Sequence, residues 1–367
     1  MAPLNRRECM KDMLATIAAA VPAVPHAKAR PRHSNGTTPQ EDPIKICLVW
    51  GDHDPHLVKL SEQIGVTHAI AGTVSALSRV PRSQYLDAVA KIKAQYESAG
   101  LTIAGIESHP VPANKIKLGL PGRDEEIENY IAAIEAFGKV GIPMVCYDFM
   151  AGVDWYRSKL HYPGRGGSMS MAFDIQDAEK QGLTPWGRIG ADQMWQNFEY
   201  FLKAVIPAAE KANVQMALHP DDPPVPELRG IARIIISAAA YRRVMGIVPS
   251  RVNGVTFEQS VLYLMGEDIK ALAQEWCGQK KVFYIHARNL KGTRNHFIET
   301  FQDDGAIDFG EMFQTYYENG FRGPLRPDHD PILDGEAGVR PGYGVLGKIF
   351  AVGYIKGIMA SRHIPYA

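Results

Sequence analysis

Four apolar stretches with the composition of β-strands end in side chains able to bind a metal ion. Residues 214–218 run into His219, 253–257 into Glu258, 281–285 into His286, and 323–327 into Asp328 with His329 beside it. Two imidazoles and two carboxylates are borderline and hard donors, a set that suits Mn²⁺, Fe²⁺, Co²⁺ or Zn²⁺ better than Ca²⁺. A single histidine after a strand is ordinarily a loop residue or a satisfied hydrogen bonder. Four such endings in succession form a constellation, and His219, Glu258, His286 and Asp328 are the expected ligands.

Those side chains meet only if their strands share one sheet and end at one face. Apolar runs at 44–50, 66–71, 101–107 and 142–149 precede the four above, giving eight strand candidates. Helical spacing separates them at 83–98, from Asp124 onward, at 192–212, near 228–243, and at 266–276, 309–318 and 345–359. Residues 155–190 have no clear period, and Pro163-Gly164-Arg165-Gly166-Gly167 reads as part of a long loop. Strands alternating with helices eight times predict an α/β fold, the (β/α)8 or TIM barrel, whose active sites lie at the carboxyl ends of the strands.

The 367 residues are 46% hydrophobic and balance 40 Lys and Arg against 40 Asp and Glu, a composition that argues against a nucleic-acid partner. At the start, Arg6-Arg7, a small apolar stretch at 13–24 and Ala27-Lys28-Ala29 resemble a twin-arginine export signal. The apolar part is too short to span a bilayer. The expected organisation is a signal peptide (1–29) removed on export to the periplasm, a polar linker (30–43) and a barrel domain (44–367). Cys47, Cys146 and Cys277 lack CxxC spacing. Cys47 and Cys146 sit inside apolar runs and read as inert buried thiols.

Several strings resemble the mannonate dehydratase family, metal-dependent lyases built on a xylose-isomerase-like barrel. They are Trp50-Gly51 with Asp54-Pro55, Ile106-Glu107-Ser108, Cys146-Tyr147-Asp148-Phe149-Met150, Asp154-Trp155-Tyr156-Arg157, and His219-Pro220-Asp221-Asp222-Pro223-Pro224. Asn253-Gly254-Val255-Thr256-Phe257, Phe297 with Glu299, Gly305 with Asp308, Arg326-Pro327-Asp328-His329 and Pro341-Gly342-Tyr343 complete the series, which covers nearly everything after Trp50. The resemblance implies Mn²⁺ or Fe²⁺ held by His219, position 258, His286 and Asp328. The family has cysteine at 258, and this chain has Glu258, a hard oxygen donor that tilts the expectation toward Mn²⁺. Ile298 and Gln302 stand where the family has histidines.

The implied reaction removes water from a sugar acid such as D-mannonate, giving 2-keto-3-deoxygluconate. Asp328, His329 and Tyr343 are the catalytic candidates beside Asp221 and Asp222, with His329 and Tyr343 favoured for proton transfer. Trp50, Glu107, Asp148, Arg157 and Arg288 are the expected substrate contacts. Asp221 and Asp222 either orient His219 or cap the next helix. Two other outcomes fit the same residues: a metal-dependent sugar isomerase or epimerase, and an inactive carbohydrate-binding protein. A small sugar acid or oxidised sugar is the expected partner, and barrels of this kind often self-associate.

Overall fold

Eight of the apolar runs form parallel strands that close on one another. In a computed structural model that describes residues 42–49 and 55–367, the strands in chain order are β1 (Lys45–Leu48), β2 (His68–Ala71), β3 (Thr102–Glu107), β4 (Met144–Tyr147), β5 (Lys159–Pro163), β6 (Met169–Asp174) and β7 (Gln215–Leu218). They continue as β8 (Glu227–Leu228), β9 (Ile231–Ala232), β10 (Asn253–Glu258), β11 (Val282–Ala287), β12 (Asn289–Thr293), β13 (His296–Thr300) and β14 (Pro324–Pro327). The closed barrel runs β1-β2-β3-β4-β7-β10-β11-β14 and back to β1. Its members are the eight predicted runs, and the fold is the expected (β/α)8 TIM barrel.

Strand alternation sorts side chains between two cores. Cys47, Ile70, Ala104, Met144, Cys146 and Ala217 gather with Phe283 and Tyr284 in one buried cluster inside the barrel. Their strand neighbours Ile46, Val145, Met216 and Leu218 join the larger cluster shared with the surrounding helices. The same parity carries Cys146, after Met144, and His286, after Tyr284, inward near the carboxyl ends of their strands. Acidic caps start several helices: Asp268 accepts from the amide of Ala271 at the head of Ile269–Gly278, and Asp308 from Glu311 at the head of Phe309–Glu318.

Two expectations change. The helical spacing near 228–243 is a hairpin followed by a shorter helix, since Arg229 and Gly230 take left-handed backbone (φ 53° and 89°) and turn β8 back onto β9. The helix there is Ala238–Ile247, capped by Ser237. The stretch 155–190 is not a featureless loop but holds β5 and β6, which join β12 and β13 in an antiparallel sheet of order β12-β13-β6-β5. Met169 exchanges backbone hydrogen bonds with Ile332, tying this sheet to the segment after β14. Among the described residues no helix is long and apolar enough to cross a membrane. The predicted signal peptide, linker residues 30–41, Trp50 and Asp54 lie outside the described residues.

Candidate functional site

The carboxyl ends of the barrel strands open into a cavity of about 360 Å³ whose wall includes Glu107, Cys146, Asp148, His219, Asp328, His329 and Tyr343. β7 delivers the first predicted ligand. The amide of His219 donates to the carbonyl of Tyr147, extending the β4–β7 ladder by one residue. The ring Nδ1 lies 2.8 Å from the carbonyl of Pro220. A carbonyl can only accept, so Nδ1 carries the proton and Nε2 keeps its lone pair for a ligand. Burial, with His286 next to it, pushes the pKa of His219 down to about 4, which keeps the ring neutral.

The acidic pair after His219 does neither of the jobs expected of it. Asp221 accepts from the amide of Ile235 and faces Arg233 at 3.7 Å. Asp222 accepts from Nη1 and Nη2 of Arg157 at 2.8 Å each, and from Nη1 of Arg288 at 2.9 Å. Burial opposes the charge on Asp222, but the two guanidinium groups outweigh it and hold its carboxyl far below the usual range. Arg157 also donates to Glu299 through Nε at 2.8 Å and Nη2 at 2.6 Å. Arg157 is therefore buried and spent, does not reach the cavity wall, and is not placed to contact substrate. Arg288 does line the cavity, yet each of its three nitrogens has a protein partner: Ser260, Asp222 and Glu258.

Glu258 departs most from the expected ligand set. Its position is correct in register, opposite His286 on the neighbouring strand. Its carboxylate, however, turns to cap the helix Gln259–Leu264, accepting from the amides of Ser260 and Val261 and from the Ser260 hydroxyl. Arg288 Nη2 adds a fourth donor at 3.2 Å. Fully buried, Glu258 has both carboxylate oxygens committed to these donors, so the structure does not bring it to the ligand cluster. The cause is local: a strand that runs straight into a helix leaves free amides, and a carboxylate at the junction is held by them.

His286 stands at its predicted strand end, not on the cavity wall itself but against three residues that form it, Glu107, His219 and Asp328. It is 1% exposed, and neither ring nitrogen has a hydrogen-bond partner. Nε2 lies 3.5 Å from Oε1 of Glu107, and Nδ1 lies 3.5 Å from Oδ2 of Asp328. Its ring centroid is 5.0 Å from that of His219. Burial and Arg326 push its pKa down, but Glu107 and Asp328 prevail and leave it raised. Asp328 accepts from Nη1 of Arg326 at 2.6 Å, and Glu107 from Nη2 of the same arginine at 3.0 Å and from the hydroxyl of Tyr284 at 3.0 Å.

Among the described residues, the donor atoms of Glu107, Cys146 and His286 all lie within 4.8 Å of one another. His219, His286 and Asp328 do not form so tight a group there. The sequence reads Glu107 as a substrate contact and Cys146 as an inert thiol, and what it misses is register: Glu107 on β3 is the direct partner of Cys146 on β4. Buried imidazole nitrogens without partners, facing a carboxylate and a sulfur, are the donor set of a divalent transition metal. The residues present fit such an ion.

The proton-transfer candidates stand on the other side of the cavity. His329 follows Asp328 in left-handed backbone (φ 52°), a conformation seldom taken by residues other than glycine. Its Nδ1 lies 2.7 Å from Oε1 of Glu299 and 3.0 Å from Nη1 of Arg288. Burial opposes the charge on Glu299, yet Arg157 and His329 hold its carboxyl below the usual range. A carboxylate can only accept, so the contact to Glu299 places a proton on Nδ1 and leaves Nε2 as the nitrogen available to substrate. The rings of His329 and Tyr343 are 5.8 Å apart, and Trp155 packs on His329 at 4.9 Å. Burial pushes the Tyr343 hydroxyl up to about 12, so it is a proton donor at neutral pH.

Two cations unnoticed in the sequence complete the wall. Lys117, 3% exposed, donates to Asp148 at 2.9 Å and to the carbonyl of Met150, which commits the predicted substrate contact Asp148 to a buried ion pair. Arg340 lines the cavity with its guanidinium 4.6 Å from the Tyr343 ring and 5.6 Å from that of Trp155. No periodicity or motif marks either residue.

The family model described as D-mannonate dehydratase (UxuA) matches residues 44–186 and 179–364. A mannonate dehydratase of Streptococcus equi subsp. zooepidemicus is 36% identical over 345 residues, covering 86% of this chain and 93% of that protein. The crystal structure of mannonate dehydratase from Streptococcus suis serotype 2 superposes with a TM-score of 0.79 at 32% identity, covering 88% of this chain and 97% of that one. A xylose isomerase domain protein from Planctomyces limnophilus shares the fold alone, with a TM-score of 0.54 at 13% identity over 87% of this chain and 98% of that one.

Proposed function

The chain belongs to the mannonate dehydratase family, and on that premise we propose that it is a hydro-lyase that removes water from a sugar acid, with D-mannonate as its substrate and 2-keto-3-deoxygluconate as product. One observation carries the reading: His286, buried with both ring nitrogens unpartnered, sits beside Glu107, Cys146, His219 and Asp328 of a cavity wall that also carries a base and an acid, His329 and Tyr343. The ion, Mn²⁺ or Fe²⁺, would be held among His286, Glu107, Cys146 and His219, with Asp328 facing Nδ1 of His286. When bound, it polarises the substrate's oxygens and acidifies the proton on C2.

His329, its Nδ1–H fixed by Glu299, takes the C2 proton on Nε2. Tyr343, neutral at working pH, gives its proton to the C3 hydroxyl, which leaves as water. The resulting enol becomes the 2-keto acid. Arg340 is the cavity cation with no carboxylate partner among the described residues, and it is placed to receive the substrate carboxylate. Trp155 closes the wall around His329 and keeps water from the carbanion.

Incubation of D-mannonate with metal-loaded protein in deuterated water tests the reading. Formation of the 2-keto-3-deoxy acid supports it. Deuterated mannonate or an epimer without dehydration overturns it in favour of epimerisation. The chain is further proposed to be exported through its Arg6-Arg7 signal, and Lys replacement of both arginines should retain it in the cytoplasm.

A further inference from the structure

Cys146 has the position of a ligand rather than of a filler. Strand parity turns it, like Met144 before it, into the barrel interior, and unlike Met144 it reaches the cavity wall. Its register partner on β3 is Glu107. Across the barrel, Nε2 of His286 faces Glu107 at 3.5 Å without forming a hydrogen bond. The hydroxyl of Thr256 lies 3.2 Å from the sulfur and 3.1 Å from the carbonyl of Ala217, sharing one proton between them.

We propose that Cys146 supplies a thiolate ligand to this protein's divalent ion, together with Glu107 and Nε2 of His286. Three donors all within 4.8 Å of one another can be reached from one centre about 2–3 Å from each, the range of metal bonds to nitrogen, oxygen and sulfur. The Nδ1–H of His286 is then directed at Asp328, whose carboxylate orients the ring from behind. On binding, the sulfur gives its lone pair to the ion and its proton to solvent, so uptake releases one proton from Cys146 and no electron changes hands. A sulfur donor also shifts preference from Mn²⁺ toward Fe²⁺ and other softer ions. Replacement of the family's cysteine by Glu258 therefore leaves the site with a thiolate, moved from β10 to β4.

This inference rests on the metal-dependent reading above, and cobalt separates the two. Wild-type protein loaded with Co²⁺ should take up about one equivalent and show the near-ultraviolet thiolate-to-cobalt charge-transfer band. Cys146→Ser should lose that band, whereas Cys47→Ser, altering a buried thiol away from the cavity wall, should keep it. Should Cys146→Ser fail to fold, X-ray absorption at the cobalt edge of the wild type reads a sulfur neighbour without any variant. Bound cobalt with neither band nor sulfur neighbour overturns the thiolate assignment and leaves the metal reading standing. A wild-type protein that takes up no Co²⁺, Mn²⁺ or Fe²⁺ overturns both.

Discussion

Two clusters of buried charge share one rim of the barrel, and they are built on opposite principles. In the collar of Arg157, Asp222, Arg288 and Glu299, each charge meets an opposite charge at 2.6–2.9 Å. Around His286 the nearest carboxylate oxygens stand at 3.5 Å, and both ring nitrogens go without a partner. A collar that satisfies itself has no capacity left for a ligand. A cluster left wanting, at the same depth, is held open by its surroundings, because unmade hydrogen bonds in a dry interior cost free energy unless something else fills them. The contrast separates scaffold from site better than residue type does, since both clusters contain the residues that catalysis favours.

Breaking the collar should have the largest effect. Asp222→Ala leaves Arg157 and Arg288 buried with fewer counter-charges and should cost about 3–5 kcal/mol, read as a lower midpoint in denaturant. Next comes chemistry: Tyr343→Phe should retain fold and metal while kcat falls roughly 10²–10⁴-fold. His286→Ala should weaken metal affinity by at least roughly 10–100-fold, measured by titration. The same variant should move apo stability by only about 1–2 kcal/mol. If it unfolds the protein as Asp222→Ala does, the distinction between collar and site collapses. Smallest is Arg340→Ala, expected to raise KM for D-mannonate roughly 10–100-fold, about the 1.5–3 kcal/mol of a charge-assisted hydrogen bond, with kcat changed less. An unchanged KM would move the carboxylate subsite elsewhere, with Lys117 the next cation on the wall.

How far the site could be read from sequence depended on what each residue needed. His219, His286 and Asp328 were visible because they follow apolar runs, and a parallel barrel must bring all such endings to one face. Glu258 satisfied the same rule and still turned away, because the helix that begins beside it offers amides that no sequence pattern distinguishes from a ligand's demand. Cys146 was hidden inside an apolar run, where a thiol that packs and a thiol that ligates look the same. Arg157 had the motif of the family and the charge for a substrate, but its partners lie 65 and 142 residues away in the chain.

By itself, the sequence determined the barrel, the face that carries the site, and the family. Those follow from hydrophobic period and from short strings whose chemistry is local. Only the tertiary structure decided which buried charges pair with one another and which stay open, through the registers that set Glu107 beside Cys146 and Glu258 beside His286. The reason is physical. Period is written in neighbours along the chain, whereas satisfaction of a buried polar group is a balance among residues that only folding brings together.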